Sequence, residues 1–163
     1  MIRLAEAKDV PRIVEMGSIS LRDGAYKNVI ADSPEVTAEL AKRLLFMENA
    51  RILVLEIDGA LQGLFAFLLI PHYYSGEKCG VEIMWYVQPE FRAYGTGWPD
   101  SLKLLWAAEK MAAEWGALKF QLTAPTDAIC EMYGRLRGYS KVETSFQRDI
   151  SRRGSQTCQS SAD

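Results

Sequence analysis

Apolar positions along the chain switch between helical spacing and strand-like runs, and the switching predicts an α/β (α+β) fold. "IRL" reads as a short strand, and "KDVPRIVEMG" after it as a helix with Asp9 placed to cap and Pro11 in its first turn. In "SPEVTAELAKRLLFMEN", Ser33 caps, Pro34 opens, and Val36, Leu40, Leu44 and Met47 recur at helical spacing, so a second helix ends near Asn49. "RILVLEI" and "ALQGLFAFLLI" are apolar and β-prone. Asp58-Gly59 between them is a two-residue hairpin turn, which makes the two strands antiparallel neighbours. "PHYYSGEKCG" is a loop and "VEIMWYV" a strand; the spacing then predicts a helix over 99–115, closed by Gly116. "LKFQLTA" is a strand, "TDAICEMYGRL" a shorter helix capped by Thr126 or Asp127, and "SKVETSFQRDI" a last strand with alternating apolar positions. The order β-α-α-β-β-β-α-β-α-β implies a mixed sheet with helices on both faces. "SRRGSQTCQSSAD" offers nothing to bury, so a domain over 1–150 is expected to be followed by a disordered tail over 151–163.

Composition narrows the function classes. At 163 residues, 48% hydrophobic and 25% charged, the chain suits one ordinary globular domain. A formal net charge of -2 and a pI near 5.5 give no case for nucleic acid as partner, despite Arg135, Arg137, Arg152 and Arg153 near the end. No apolar run reaches the roughly 18 residues that span a bilayer. "MIRLAEAKDV" has no apolar signal-peptide core, so a cytoplasmic protein without membrane partners is expected. Cys79, Cys130 and Cys158 lack metal-ligand spacing and His72 is the only histidine, which argues against a metal site. The open sheet and its aromatic strands would permit a homodimer, but no pattern requires one.

The chemistry centres on "VQPEFRAYGTG", where Arg92, Gly95 and Gly97 form RxxGxG between a strand and a helix. Glycines let successive backbone N–H groups point into one concavity, and a helix N-terminus adds its dipole, so the element suits a phosphate or pyrophosphate. Read on these residues alone, it is equally a turn that lets the chain reverse. GxxxxGK is absent, and the GxGxxG spacing would need glycine at the position of Asp100, which sets aside the ATP and NAD loops.

In this motif, and in the order of the segments from "IRLAEAKDVPRIVEM" to "MYGRLRGY", the chain resembles the GNAT family of N-acetyltransferases. The resemblance implies a single GNAT-like domain whose mostly antiparallel sheet carries a splayed central strand pair. It implies direct transfer of an acetyl group from acetyl-CoA to a primary amine on a small molecule or peptide. It places the pyrophosphate on Arg92, Ala93, Tyr94, Gly95, Thr96 and Gly97, with Ser101 as a further donor, and the pantetheine and oxyanion along Trp85, Tyr86 and Val87. The sequence departs from the family in "WPDS", four extra residues before "LKLLWAAE". Either the helix starts a turn early, or Trp98, Pro99 and Asp100 crowd and repel the pyrophosphate.

Transfer to an amine needs a base, and the resemblance gives that role to Glu82; the same residue beside Lys78 could simply face solvent. Tyr133 resembles the helix tyrosine that protonates the departing thiolate, but its interval to Gly138 is one residue longer than usual, and a packing tyrosine is the other reading. Acceptor recognition falls to the first two helices and two loops, with Tyr26, Asp23, Asp32, His72, Tyr73, Tyr74 and Glu82 as candidates. Aromatic and acidic groups there suit a cationic amine, although any surface loop could carry them. A GNAT-fold module that has lost transfer chemistry and only binds CoA or a partner is the alternative from another class.

Overall fold

The computed structural model describes residues 1–24, 26, 27, 29–92 and 99–146. The elements run β1 (Ile2–Leu4), a 3-10 turn (Ala7–Asp9), α1 (Val10–Asp23), α2 (Pro34–Phe46), β2 (Ala50–Ile57), β3 (Ala60–Pro71), β4 (Lys78–Val87), a 3-10 turn (Pro89–Phe91), α3 (Asp100–Glu114), β5 (Lys119–Gln121) and α4 (Asp127–Gly134). The strands form one sheet in the order β1-β2-β3-β4-β5, antiparallel throughout except for the parallel β4–β5 pair.

Both faces of the sheet are covered, which explains why β2 and β3 read as continuous apolar runs and not as alternating ones. Ile52, Val54, Leu64 and Ala66 pack under α1 and α2 with Ile13, Met16 and Leu44. Their immediate neighbours Leu53, Leu55, Phe65 and Phe67 face α3 through Leu102, Leu105, Ala108 and Ala112. Phe65 and Phe67 are fully buried, and each such ring contributes roughly 2–3 kcal/mol by leaving water. Asp58 (φ 51°) and Gly59 (φ 76°) both adopt the left-handed conformation that a two-residue I′ hairpin turn requires.

Local signals set most helix ends. Ser33 Oγ accepts from the N–H of Val36, and Thr126 Oγ1 from that of Ile129. Gly116, at φ 86°, closes α3. α3 begins at Asp100, so Asp100 and Ser101 of "WPDS" are absorbed as an early start while Trp98 lies outside the described residues; among its buried residues, Leu102, Leu105, Ala108 and Ala112 hold one stripe.

Two expectations are corrected. Asp9 stands at the start of α1, but its side chain makes no cap bond to the helix. It turns back instead, to the Arg3 guanidinium (Oδ2–Nη1 2.7 Å) and the N–H of Glu6 (2.8 Å). Arg3 also pairs with Glu56 at 2.8 Å, so one guanidinium joins β1, β2 and the entry to α1. The ion pair wins over the cap because Asp9 is buried at 5% exposure, where an unpaired carboxylate is costly. Residues 140–146 form no strand, although "SKVETSF" alternates. Val142 and Phe146 stay 78% and 94% exposed, and the three-residue β5 offers them only a short edge. Residues 147–150, the rest of that predicted strand, and the expected tail over 151–163 lie outside the described residues.

Candidate active site

β4 and β5 pair only at Cys79↔Lys119, Gly80↔Phe120 and Val81↔Gln121, while β4 runs on to Val87. From Glu82 onward, β4 has no strand on that side among the described residues. A bulge sits at the same point: Ala66 pairs with Met84 and Phe67 with Glu82, leaving Ile83 as an extra residue in β4. Bulges re-aim neighbouring side chains and end pairing. Close approach of the strands below the gap depends on Gly80, since a Cβ there would lie 2.5 Å from the Phe120 ring.

Glu82 stands at the mouth of this gap, and its Oε2 accepts the backbone N–H of Thr123 at 2.9 Å, bridging the two separating chains. Burial pushes the Glu82 carboxyl up to about 7, against the lowering effect of the Thr123 N–H. A carboxyl with that value holds a proton below neutrality and is free to accept one above it.

Three residues on, Trp85 lies against Phe65 on one side (5.5 Å between centroids) and stacks with Tyr133 of α4 (5.8 Å, interplanar angle 10°). Burial, and then the charge of Glu82, push the Tyr133 phenol well above the usual tyrosine value, so it keeps its proton at neutral pH. The structure thus brings Glu82, Trp85 and Tyr133 together. Tyr86 and Val87 are buried on opposite faces, and Tyr86 Oη donates to Gln88 Oε1 at 3.0 Å. The Arg92 guanidinium lies over the Tyr86 ring, 5.1 Å from its centroid, and its Nε donates to the Val87 carbonyl (2.5 Å). Ala93, Tyr94, Gly95, Thr96 and Gly97 lie outside the described residues. Ser101 is half-buried in the first turn of α3, and the Asp100 carboxylate is drawn to Lys103 at 2.9 Å.

An open cleft of about 1530 Å³ runs from the loop before β4 along β5 to α4, lined by Tyr26, His72, Tyr74, Thr123 and Tyr133 among others. Tyr26 and His72 therefore share a cleft with Tyr133. Tyr73 is not part of its lining; it is 77% exposed and stacks on His72 at 4.8 Å. His72 Nδ1 accepts the N–H of Tyr74 at 3.4 Å.

Of the two loop tyrosines named for the acceptor, Tyr74 borders the cleft and Tyr73 does not. Reading the sequence missed two members of this neighbourhood. Thr123 acts through its backbone N–H, which leaves no trace in residue type. Tyr139 donates through its phenol to Glu109 of α3, a contact spanning 30 residues that periodicity cannot show. Among the described residues no cluster of His, Cys, Asp and Glu could hold a metal, and no helix is long and apolar enough to cross a membrane.

A model of the acetyltransferase (GNAT) family matches residues 18–139. The chain belongs to the GNAT family. Solved structures with this fold include a ribosomal-protein-alanine N-acetyltransferase from Brucella melitensis biovar Abortus 2308, 18% identical, covering 91% of this chain and 98% of that one at a TM-score of 0.68. An aminoglycoside antibiotic 6'-N-acetyltransferase from Acinetobacter haemolyticus is 19% identical, with 92% and 99% coverage and a TM-score of 0.69. A predicted acetyltransferase with acetyl-CoA from Clostridium acetobutylicum is 17% identical, with 92% and 96% coverage and a TM-score of 0.72. At these identities the likeness is one of fold. No curated protein matches the chain by sequence.

GNAT enzymes use acetyl-CoA as acetyl donor. Among the described residues, the side of β4 that faces β5 has no strand partner beyond Val81, and its free backbone groups suit an extended chain such as pantetheine. The charge of Asp100 at the start of α3 is offset by Lys103.

Proposed function

We propose that the chain is an acetyl-CoA-dependent N-acetyltransferase acting on a primary amine, with Glu82 as base and Tyr133 as proton donor. The observation that carries the reading is the juxtaposition at the β4–β5 gap of a carboxyl raised to about 7 with a protonated tyrosine. A buried carboxyl poised near neutrality can take up a proton there, and a phenol that keeps its proton can give one, which suits the two to base and acid roles.

Acetyl-CoA, when bound, supplies an acetyl group activated as a thioester. Arg92, Ala93, Tyr94, Gly95, Thr96, Gly97 and Ser101 are the residues to hold its phosphates, and the backbone of Trp85, Tyr86 and Val87 is to meet pantetheine and carbonyl oxygen. The thiolate side of the reaction falls to Tyr133. Glu82 keeps one carboxylate oxygen on the Thr123 N–H, which leaves the other to take the amine proton as the C–N bond forms. Burial still holds the Tyr133 phenol up, but once Glu82 is protonated the lesser contribution of its charge is gone, and the phenol becomes a somewhat better donor as the C–S bond breaks. Tyr26, His72 and Tyr74 border the cleft that Tyr133 also lines, and aromatic side chains there suit a cationic amine.

The test is release of free CoA thiol with a panel of acceptors: a peptide with N-terminal alanine, an aminoglycoside and a polyamine. Release that depends on the acceptor is expected for at least one class. Calorimetry in parallel should show acetyl-CoA binding that Gly95→Glu abolishes, because a carboxylate would enter the phosphate space. Binding without turnover across the panel would favour the module that has lost transfer chemistry. Equal affinity in wild type and Gly95→Glu would remove the loop from the donor site.

A further inference from the structure

We propose that Glu109 and Tyr139 form a latch between α3 and the segment after α4, and that this latch positions Tyr133 against Trp85 and Glu82. The proposal rests on the reading of Tyr133 as proton donor. Both latch residues are positioning residues.

α4 is lightly held. It contributes no fully buried side chain, and Ile129, Cys130 and Tyr133 are only half-buried. Its one aromatic anchor is the stack of Tyr133 on Trp85. Parallel rings resist separation but slide easily, because dispersion changes little with a small lateral shift. The stack alone therefore leaves the phenol oxygen poorly located, whereas proton donation to sulfur is sensitive to position.

The chain after α4 supplies the missing constraint. The N–H of Leu136 donates to the Tyr133 carbonyl at 3.0 Å, and the N–H of Tyr139 to the Leu136 carbonyl at 3.2 Å. Two consecutive links thus tie the backbone of Tyr133 to that of Tyr139, with Leu136 packed against the core beneath α3. Gly138, at φ 89°, provides the turn between them, a conformation other residues rarely adopt. At the end of the run the half-buried Tyr139 phenol donates to Glu109 Oε1, in the middle of α3. Ring stack, core contact and charge-assisted hydrogen bond fall at 133, 136 and 139, so the last fixes what the first leaves loose.

The experiment is a double-mutant cycle on the full chain: Tyr139→Phe, Tyr133→Phe and both together, with kcat and acetyl-CoA KM measured, and amide hydrogen exchange followed over 127–139. Tyr139→Phe should lower kcat about three- to tenfold, less than Tyr133→Phe itself because the phenol is kept but held less well, with KM unchanged and exchange over 127–139 faster. In the Tyr133→Phe background the same change should cost nothing further. An equal fold-loss in both backgrounds would show a merely structural bond and overturn the proposal, as would unchanged exchange. If Tyr133→Phe alone leaves kcat intact, the donor reading falls, and the catalytic purpose of the latch with it; exchange then reports separately whether the tether exists. Should Tyr139→Phe not fold, Glu109→Ala removes the same bond from the helix side, with the same expectations.

Discussion

The N–H of Thr123 donates to Oε2 of Glu82 at 2.9 Å, across the gap where β4 and β5 part. One bond thus fixes the carboxylate at the place where these strands separate. Burial there nevertheless outweighs the bond and raises the carboxyl to about 7.

That balance has a stability consequence. A carboxyl near 4.5 when unfolded and about 7 when folded binds more protons in the native state between those values. Its contribution is therefore present below about 4.5 and is lost as pH rises through 7. The shift corresponds to on the order of 3 kcal/mol of strain carried by the ionised form above neutrality. Glu82→Gln keeps an acceptor for Thr123 and removes the charge, so it should melt higher than wild type at pH 8 and show no such gain at pH 5. A lower melting temperature at both values would contradict the assigned burial effect.

The Arg3–Asp9–Glu56 network makes a separate prediction. Hydrogen bonding to Arg3 holds the Asp9 carboxyl below its ordinary value, so its stabilisation exists above about 3.8 and fades as pH falls through the folded value. Asp9→Ala leaves Arg3 without its shortest partner and should cost about 3 kcal/mol at pH 7. That corresponds to a fall in Tm of roughly 10 °C for a chain of this size. Thermal melts at pH 7 check it, and turnover per folded molecule should be unaffected.

Tyr133→Phe tests the donor. A phenol raised above its usual value is a weaker acid than a thiol, which titrates near 8.5, so full transfer is uphill and the hydrogen bond to sulfur does most of the work. The expected fall in kcat is about ten- to a hundredfold, at the low end for general acids, with acetyl-CoA affinity nearly retained. Calorimetry beside steady-state kinetics separates the two. A variant that loses its fold would identify a packing tyrosine.

Much of the frame was legible because its causes are local. Ser33 before Pro34, Asp58 before Gly59 and Gly116 after α3 each settle an element through one backbone requirement, and all three act as read. The open side of β4 was legible only through the resemblance. What depends on distant contacts was not: the Asp9 side chain was claimed by Arg3, six residues back, and not by its own helix. The acidity of Glu82 is set by its burial, opposed by the N–H of Thr123, and neither is marked by residue type. Residues 140–146 alternate like a strand, yet alternation cannot supply the partner edge that β5 is too short to offer.

The pH dependence of kcat/KM for wild type and Glu82→Gln, with an acceptor identified by thiol release, bears most directly on Glu82 as base. The base works only when deprotonated, so the wild-type rate should fall as pH drops through about 7 and level off above it. Glu82→Gln should lack that inflection. It should rise instead with deprotonation of the amine itself, and lie furthest below wild type near neutrality, converging toward it at high pH. Profiles of the same shape and height in the two proteins would contradict the assignment and return the base to His72 or to water.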